Sequence, residues 1–242
     1  MGAVRARLNA WVCSSMREPE QGDARVKPFG ELPSVWQTCL EQAWEAFLSG
    51  SLPIGAVIVG ADGQVLAVGR NRLGESGEHA PHVHGTPYIE GSPLAHAEVN
   101  AILQLGNRRT DPRPVLYTTT EPCPLCMGAS RMAGLGRVVF ASRDEWAGAA
   151  VMAERIPYLQ AMGPSVEGPI ADLELPLMTW LLAAHGNQQV RTGSFIDRWR
   201  ERHPLAAEVG LRLNISQALR EVAASGVEAV WSALAAELGS PE

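Results

Sequence analysis

The stretch VLYTTTEPCPLCMGASRMAGLGRVVFAS, residues 115–142, decides the fold. VLYTT at 115–119 is a β-rich run, ended by Pro122. PLCMGASRMA reads as a helix that stops at Gly134 to Gly136, and RVVFAS at 137–142 is strand-like again. Strands alternating with a helix argue for a partly parallel sheet with helices on its faces.

Working upstream, Ser34 followed by Gln37 reads as a capping box. Trp36, Leu40, Ala43, Trp44, Phe47 and Leu48 then recur at helical spacing up to Gly50. IGAVIVG at 54–60 and QVLAVG at 64–69 flank Asp62-Gly63, a strong hairpin signal. A loop rich in Gly, Pro and His runs from about Gly74 to Pro93. A helix is expected from near Leu94 to Leu105. The order helix, two strands, helix, strand, helix, strand implies a three-layer α/β or α+β domain.

Downstream, MTWLLAAH at 178–185 and FIDRWRER at 195–202 look helical. Ile215, Leu219, Val222, Gly226, Val230 and Leu234 are expected on one stripe of a helical segment from Ile215 to Leu238. We divide the chain into an N-terminal arm (1–31, lacking periodicity), a catalytic domain (32–170) and a helical C-terminal extension (171–242). The extension reads as core cover in preference to a lid or a dimer surface.

The 242 residues suffice for a full core, and a net charge of −6 argues against strong general attraction to nucleic acid. No apolar run approaches the roughly 20 residues of a membrane span, and residues 8–13 are too short and polar for a signal segment. A cytoplasmic protein is expected. Of the four cysteines, the close pair Cys123 and Cys126 points to metal or redox chemistry. Cys39 reads as a small buried hydrophobe, and Cys13 needs no role.

His96-Ala97-Glu98 and Pro122-Cys123-Pro124-Leu125-Cys126 each open an expected helix. Residues two apart face opposite sides of a helix, so His96 and Glu98 converge only on a target off its N-terminal end. The same holds for the two cysteines. Paired helix N-termini favour thiolates, the form a metal binds. One imidazole and two thiolates suit zinc and leave a fourth position open for water, whose ionisation the metal brings near neutrality. Glu98, not itself a ligand, is placed to act as base and then acid in removing an exocyclic amine.

The H-x-E…P-C-x-x-C pattern is the signature of zinc nucleobase deaminases. The sequence resembles the cytidine-deaminase-like superfamily, in the branch of tRNA adenosine, guanine and cytosine deaminases. The resemblance covers about residues 32–155. It is carried by GRNR at 69–72, AHAEVNAI at 95–102, TEPCPLCMGA at 120–129 and ASRDEWAGA at 141–149. It implies a mixed sheet sandwiched by helices, one zinc ion per chain and a homodimer. It also implies substrate contacts from Asn71, the Ala97 backbone N–H and Asp144. Asn71 also fits a turn cap, and Asp144 a cap of the segment that follows it. His79, His82 and His84 read as solvated loop histidines in preference to a second metal site. The 74–93 loop is longer than in compact bacterial tRNA deaminases, which bears on what enters the site.

A small nucleobase or nucleoside substrate is the leading expectation. A tRNA adenosine substrate is the alternative, and a catalytically inactive zinc-stabilised scaffold is the third reading.

Overall fold

A computed structural model describes residues 26–75, 88–107, 112–185 and 193–239. The expectations for Cys13, for most of the N-terminal arm and for His79, His82 and His84 lie outside these residues.

After a 3₁₀ turn at Phe29–Glu31 the chain forms α1 (Ser34–Leu48), β1 (Gly55–Val59), β2 (Val65–Arg70), α2 (Ala97–Leu105), β3 (Val115–Thr120), α3 (Pro124–Met132) and β4 (Arg137–Ser142). Then come α4 (Met152–Arg155), α5 (Pro157–Met162) and β5 (Ser165–Glu167). The C-terminal elements are α6 (Ala171–His185), α7 (Gly193–Arg202), α8 (Pro204–Ser216), α9 (Ala218–Ala223) and α10 (Val227–Gly239).

The sheet order is β2-β1-β3-β4-β5. β1 pairs antiparallel with β2 and β3, whereas β4 runs parallel to both β3 and β5. The sheet is therefore mixed, as expected. Alternation along its strands separates two cores. Ala56, Ile58, Leu116 and Val138 face α2, meeting Ala97, Ala101 and Leu105. Val57, Val139 and Ala141 face the other way, onto α1 and the C-terminal helices, through Trp36, Leu40, Leu177, Trp180 and Trp231. This gives three layers with a helical C-terminal region, and the α6 stripe fills the same core as α1. Among the described residues no helix is long and apolar enough to cross a membrane.

Two seams between helix and sheet leave no room for a side chain. A Cβ on Gly55 would lie 2.0 Å from the Cys39 carbonyl oxygen of α1. One on Gly69 would lie 2.3 Å from both the Ala101 nitrogen and the Ala97 oxygen of α2. Cys39 is fully buried, as expected of a small hydrophobe.

Several local expectations need correction. Ser34 is not a cap: α1 begins at Ser34 behind Pro33, and the Gln37 amide donates instead to the Leu32 carbonyl at 2.8 Å. The second helix starts at Ala97, not near Leu94, because a turn closes first with the Ala95 N–H on the Ser92 carbonyl. The stripe from Ile215 to Leu238 is broken into separate helices. Gln217 takes a left-handed conformation (φ 56°) and Gly226 a positive φ of 108°. Leu219, Val230 and Leu234 are buried, but Ile215 is 83% exposed. The N-terminal residues that are described dock firmly: the Trp231 indole donates to the Lys27 carbonyl at 2.8 Å, and Phe29 packs on the core.

Candidate metal centre and surrounding site

The parallel strands β3 and β4 deliver the chain to the edge where helices α2 and α3 begin. His96 is the residue before α2, in extended conformation (ψ 152°), and Cys123 is the residue before α3 (ψ 173°). Pro124 at the first position of α3 has no N–H to waste and fixes the turn into the helix. The sequence thus places both residues at helix caps, with Glu98 and Cys126 in the first turns.

His96, Cys123 and Cys126 come together. Cys123 Sγ and Cys126 Sγ each lie 3.5 Å from His96 Nδ1 and 3.5 Å from each other. They form a group able to hold a metal, with all ligand atoms within 4.8 Å of one another. Zinc bonds of ~2.3 Å to sulfur and ~2.0–2.1 Å to nitrogen imply tetrahedral edges of roughly 3.4–3.8 Å. The triangle fits that ion, and its soft donors disfavour magnesium or calcium.

The two thiols are hydrogen-bonded to one another. The hydrogen bond from Cys126 lowers Cys123 to about 4, while that bond and burial push Cys126 well up. The bond to the Cys123 sulfur also raises the His96 imidazole above its usual range, against burial.

Glu98 is only 3% exposed, and burial pushes its carboxyl above the ordinary range. It receives the Thr118 hydroxyl at 3.3 Å. Ala97 opens α2 and is fully buried.

Asn71, 1% exposed, accepts the Leu73 N–H on Oδ1 at 3.0 Å, so it closes the turn after β2. Asp144 accepts the N–H groups of Trp146 and Ala147 at 2.9 and 3.0 Å, and burial raises its carboxyl. Both therefore play the capping parts that their sequence contexts allowed.

Sequence reasoning missed three residues that shape this edge. Thr118 reaches Glu98 from β3. Glu121 grips the 143–150 loop, accepting the Ala150 N–H at 3.0 Å and the Asp144 N–H at 3.4 Å. Asn100 brackets Ile89, accepting its N–H at 2.7 Å and donating to its carbonyl at 3.1 Å. Glu121 and Asn100 lie inside the quoted motif blocks, where the ligands drew the reading. Thr118 carried no signal beyond its inward place on a strand.

The family model of the cytidine and deoxycytidylate deaminase zinc-binding region matches residues 32–142. The chain is 33% identical over 129 residues to the guanine deaminase of Bacillus subtilis, a match covering 52% of this chain and 72% of that protein. It is 32% identical over 109 residues to the tRNA-specific adenosine deaminase of the same species, covering 43% of this chain and 58% of the relative. It is also 28% identical over 133 residues to the tRNA(Ile)-lysidine synthase of Deinococcus radiodurans, covering 50% of this chain. The chain spans only 19% of the length of that synthase.

Proposed function

We propose, because the chain belongs to the cytidine and deoxycytidylate deaminase family with its zinc-binding region, that it hydrolyses the exocyclic amine of a small purine or pyrimidine base or nucleoside and releases ammonia. The observation that carries this reading is the ligand triangle of His96, Cys123 and Cys126 with the buried carboxyl of Glu98 beside it.

His96, Cys123 and Cys126 would hold the zinc ion, which would supply the Lewis acidity that makes water a nucleophile near neutral pH. Glu98 takes the proton of the attacking water and hands it to the ring nitrogen of the amidine. It then protonates the departing amine, so one carboxyl serves as base and acid in turn. Its burial suits this, since burial raises the carboxyl above its ordinary range and so favours its holding a proton. Asn71, the Ala97 N–H and Asp144 border the base.

A tRNA substrate calls for free positive charge around Asn71 and Arg143. The arginines there face carboxylates: Arg70 meets Glu75, Arg72 meets Glu75 and Glu90, Arg143 meets Glu174, and Arg202 meets Glu145. This neutralisation supports a small substrate. A homodimer is supported by the exposed apolar side chains Leu125, Met132, Tyr158 and Met162 on α3 and α5; molar mass in solution tests it. The unpaired thiols of the centre suit a reducing cytoplasm.

The test is a screen of guanine, adenine, cytosine, their nucleosides and an anticodon stem-loop for ammonia release, with Glu98→Ala as control. We expect turnover of a small base or nucleoside. The Glu98→Ala protein should keep about one zinc per chain and lose activity. Turnover of the stem-loop alone would replace the small substrate with tRNA. Activity surviving Glu98→Ala would overturn the mechanism, and an inert wild type would favour the scaffold.

A further inference from the structure

The 143–150 loop follows β4 and is bonded to Glu121 and Pro122, the residues that lead into the ligand Cys123. Its Asp144 and Ala150 amides are held by Glu121, two residues before the ligand Cys123. The Ala149 N–H bonds the Pro122 carbonyl at 3.0 Å. Gly148 fits because a Cβ there would lie 2.5 Å from the Glu121 carboxylate. The inner edge of the loop is thus fixed to the start of α3.

Its outer edge is fixed by the C-terminal helices. Glu145 meets the junction of α7 and α8. His203 Nε2 lies 3.0 Å from Glu145 Oε1, and Arg202 Nε lies 3.4 Å from Oε2. The Glu145–His203 contact is sheltered, with side chains 11% and 22% exposed, whereas the Arg202 side chain is 62% exposed. The hydrogen bond from His203, aided by Arg202, holds the Glu145 carboxyl below its usual range. On either side, Arg143 Nε faces Glu174 of α6 at 3.6 Å, and the Arg198 guanidinium of α7 stands 5.7 Å from the Trp146 ring. The three successive loop side chains after Arg143 are therefore not equivalent: Glu145 and Trp146 turn to the C-terminal helices, while Asp144 folds back on its own loop.

We infer that Glu145 and His203 are positioning residues: through them the α7–α8 junction holds the 143–150 loop against the metal centre, so that the C-terminal helices set how the site grips its substrate. Neither residue touches the reacting atoms. A sheltered, hydrogen-bonded pair fixes geometry more than it stabilises, and losing one partner leaves the other polar group sheltered and unmatched. The loop would then lose its outer anchor while Glu121 still held the inner one.

The experiment compares wild type, His203→Ala, Glu145→Gln and His203→Gln, with Arg212→Ala as control. Arg212 pairs with Glu237 elsewhere in the C-terminal region. Hydrogen exchange is read at the 143–150 amides and within α2 and α3, together with zinc content, kcat and KM. For His203→Ala and Glu145→Gln we expect faster exchange confined to 143–150, unchanged zinc, and KM raised roughly tenfold with kcat changed far less. His203→Gln, which still offers a donor, should restore most of the KM, and Arg212→Ala should leave the loop unchanged.

Unchanged exchange at 143–150 overturns the inference, as does faster exchange with KM intact. If His203→Ala does not fold, Glu145→Gln, which keeps the shape of the side chain, decides the point. The kinetic readout rests on the proposed deamination and the exchange readout does not. An inert wild type would therefore count against the reaction alone, leaving the loop anchor to be decided by exchange.

Discussion

Thr118 Oγ1 lies 3.3 Å from Glu98 Oε1 and 3.2 Å from the Thr120 carbonyl oxygen. One hydroxyl proton serves one acceptor at a time. Against the carboxylate, Thr118 donates to Glu98. Against the protonated acid, it accepts from Glu98 and turns its own proton to Thr120. The hydroxyl can thus follow both protonation states that the proposed reaction requires of Glu98.

Thr118→Val keeps the shape and removes both options. A hydrogen bond to a charged group contributes about 1.5–3 kcal/mol, so kcat should fall roughly 10- to 100-fold. Zinc content should stay at the wild-type level, and Thr118→Ser should recover most of the rate. Steady-state kinetics with metal analysis checks this; a kcat unchanged in the valine variant would remove Thr118 from the proton path.

Stripping the metal should cost both activity and stability. The triangle of His96, Cys123 and Cys126 joins the starts of α2 and α3, and those donors are left facing one another without the ion. A strong chelator should abolish turnover and lower Tm by several degrees, and zinc but not magnesium should restore both. Thermal melts with and without chelator decide it, and equal Tm values would mean that the site binds metal too weakly to matter.

Gly69→Ala should act on the centre without touching it. The added methyl meets α2 backbone at 2.3 Å, where no side chain can swing away. The helix must shift, carrying Glu98 and the His96 cap with it. We expect a destabilisation of about 2 kcal/mol or more and weaker zinc retention. Denaturant unfolding and zinc competition measure the two effects; a variant as stable as wild type would show that the seam can relax.

Stability should fall with mild acid through His185. Burial lowers this imidazole to about 4, so the folded chain resists a proton that the unfolded chain accepts near 6.5. Above pH 6.5 both states are neutral and nothing is lost. Between about 6.5 and 4 the unfolded state binds the proton alone, a loss of roughly 3 kcal/mol. His185→Gln should flatten that part of the profile, measured as unfolding free energy against pH. A parallel profile in the variant would assign the slope to other groups.

The elements legible in the sequence share a physical character. β4 has the bounds expected because glycines precede it and its inward side chains are apolar. The hairpin is marked by Asp62-Gly63, where Gly63 takes a φ of 79°. The metal triangle was legible because side-chain chemistry and helix starts coincide. Edge strand β5 was not, since Ser165–Glu167 is three residues long with one apolar side chain between two polar ones. The first turns of α6 escaped notice because Pro176 sits inside the helix, buried, where proline usually marks an end. The break at Gln217 was hidden because only tertiary packing makes a glutamine adopt the left-handed region.

The core opposite the metal brings a temporal consequence. Val57, Val139 and Ala141 are roofed by α6 and by Trp231 and Leu234 of α10. On a ribosome adding about 5–20 residues per second, the strands emerge several seconds before that roof does. Throughout that interval one face of the nascent sheet has only α1 to cover it, and the apolar side chains meant for α6 and α10 stay open. Vectorial synthesis therefore gives this chain a window in which chaperone capture and aggregation compete, and the last helices close it.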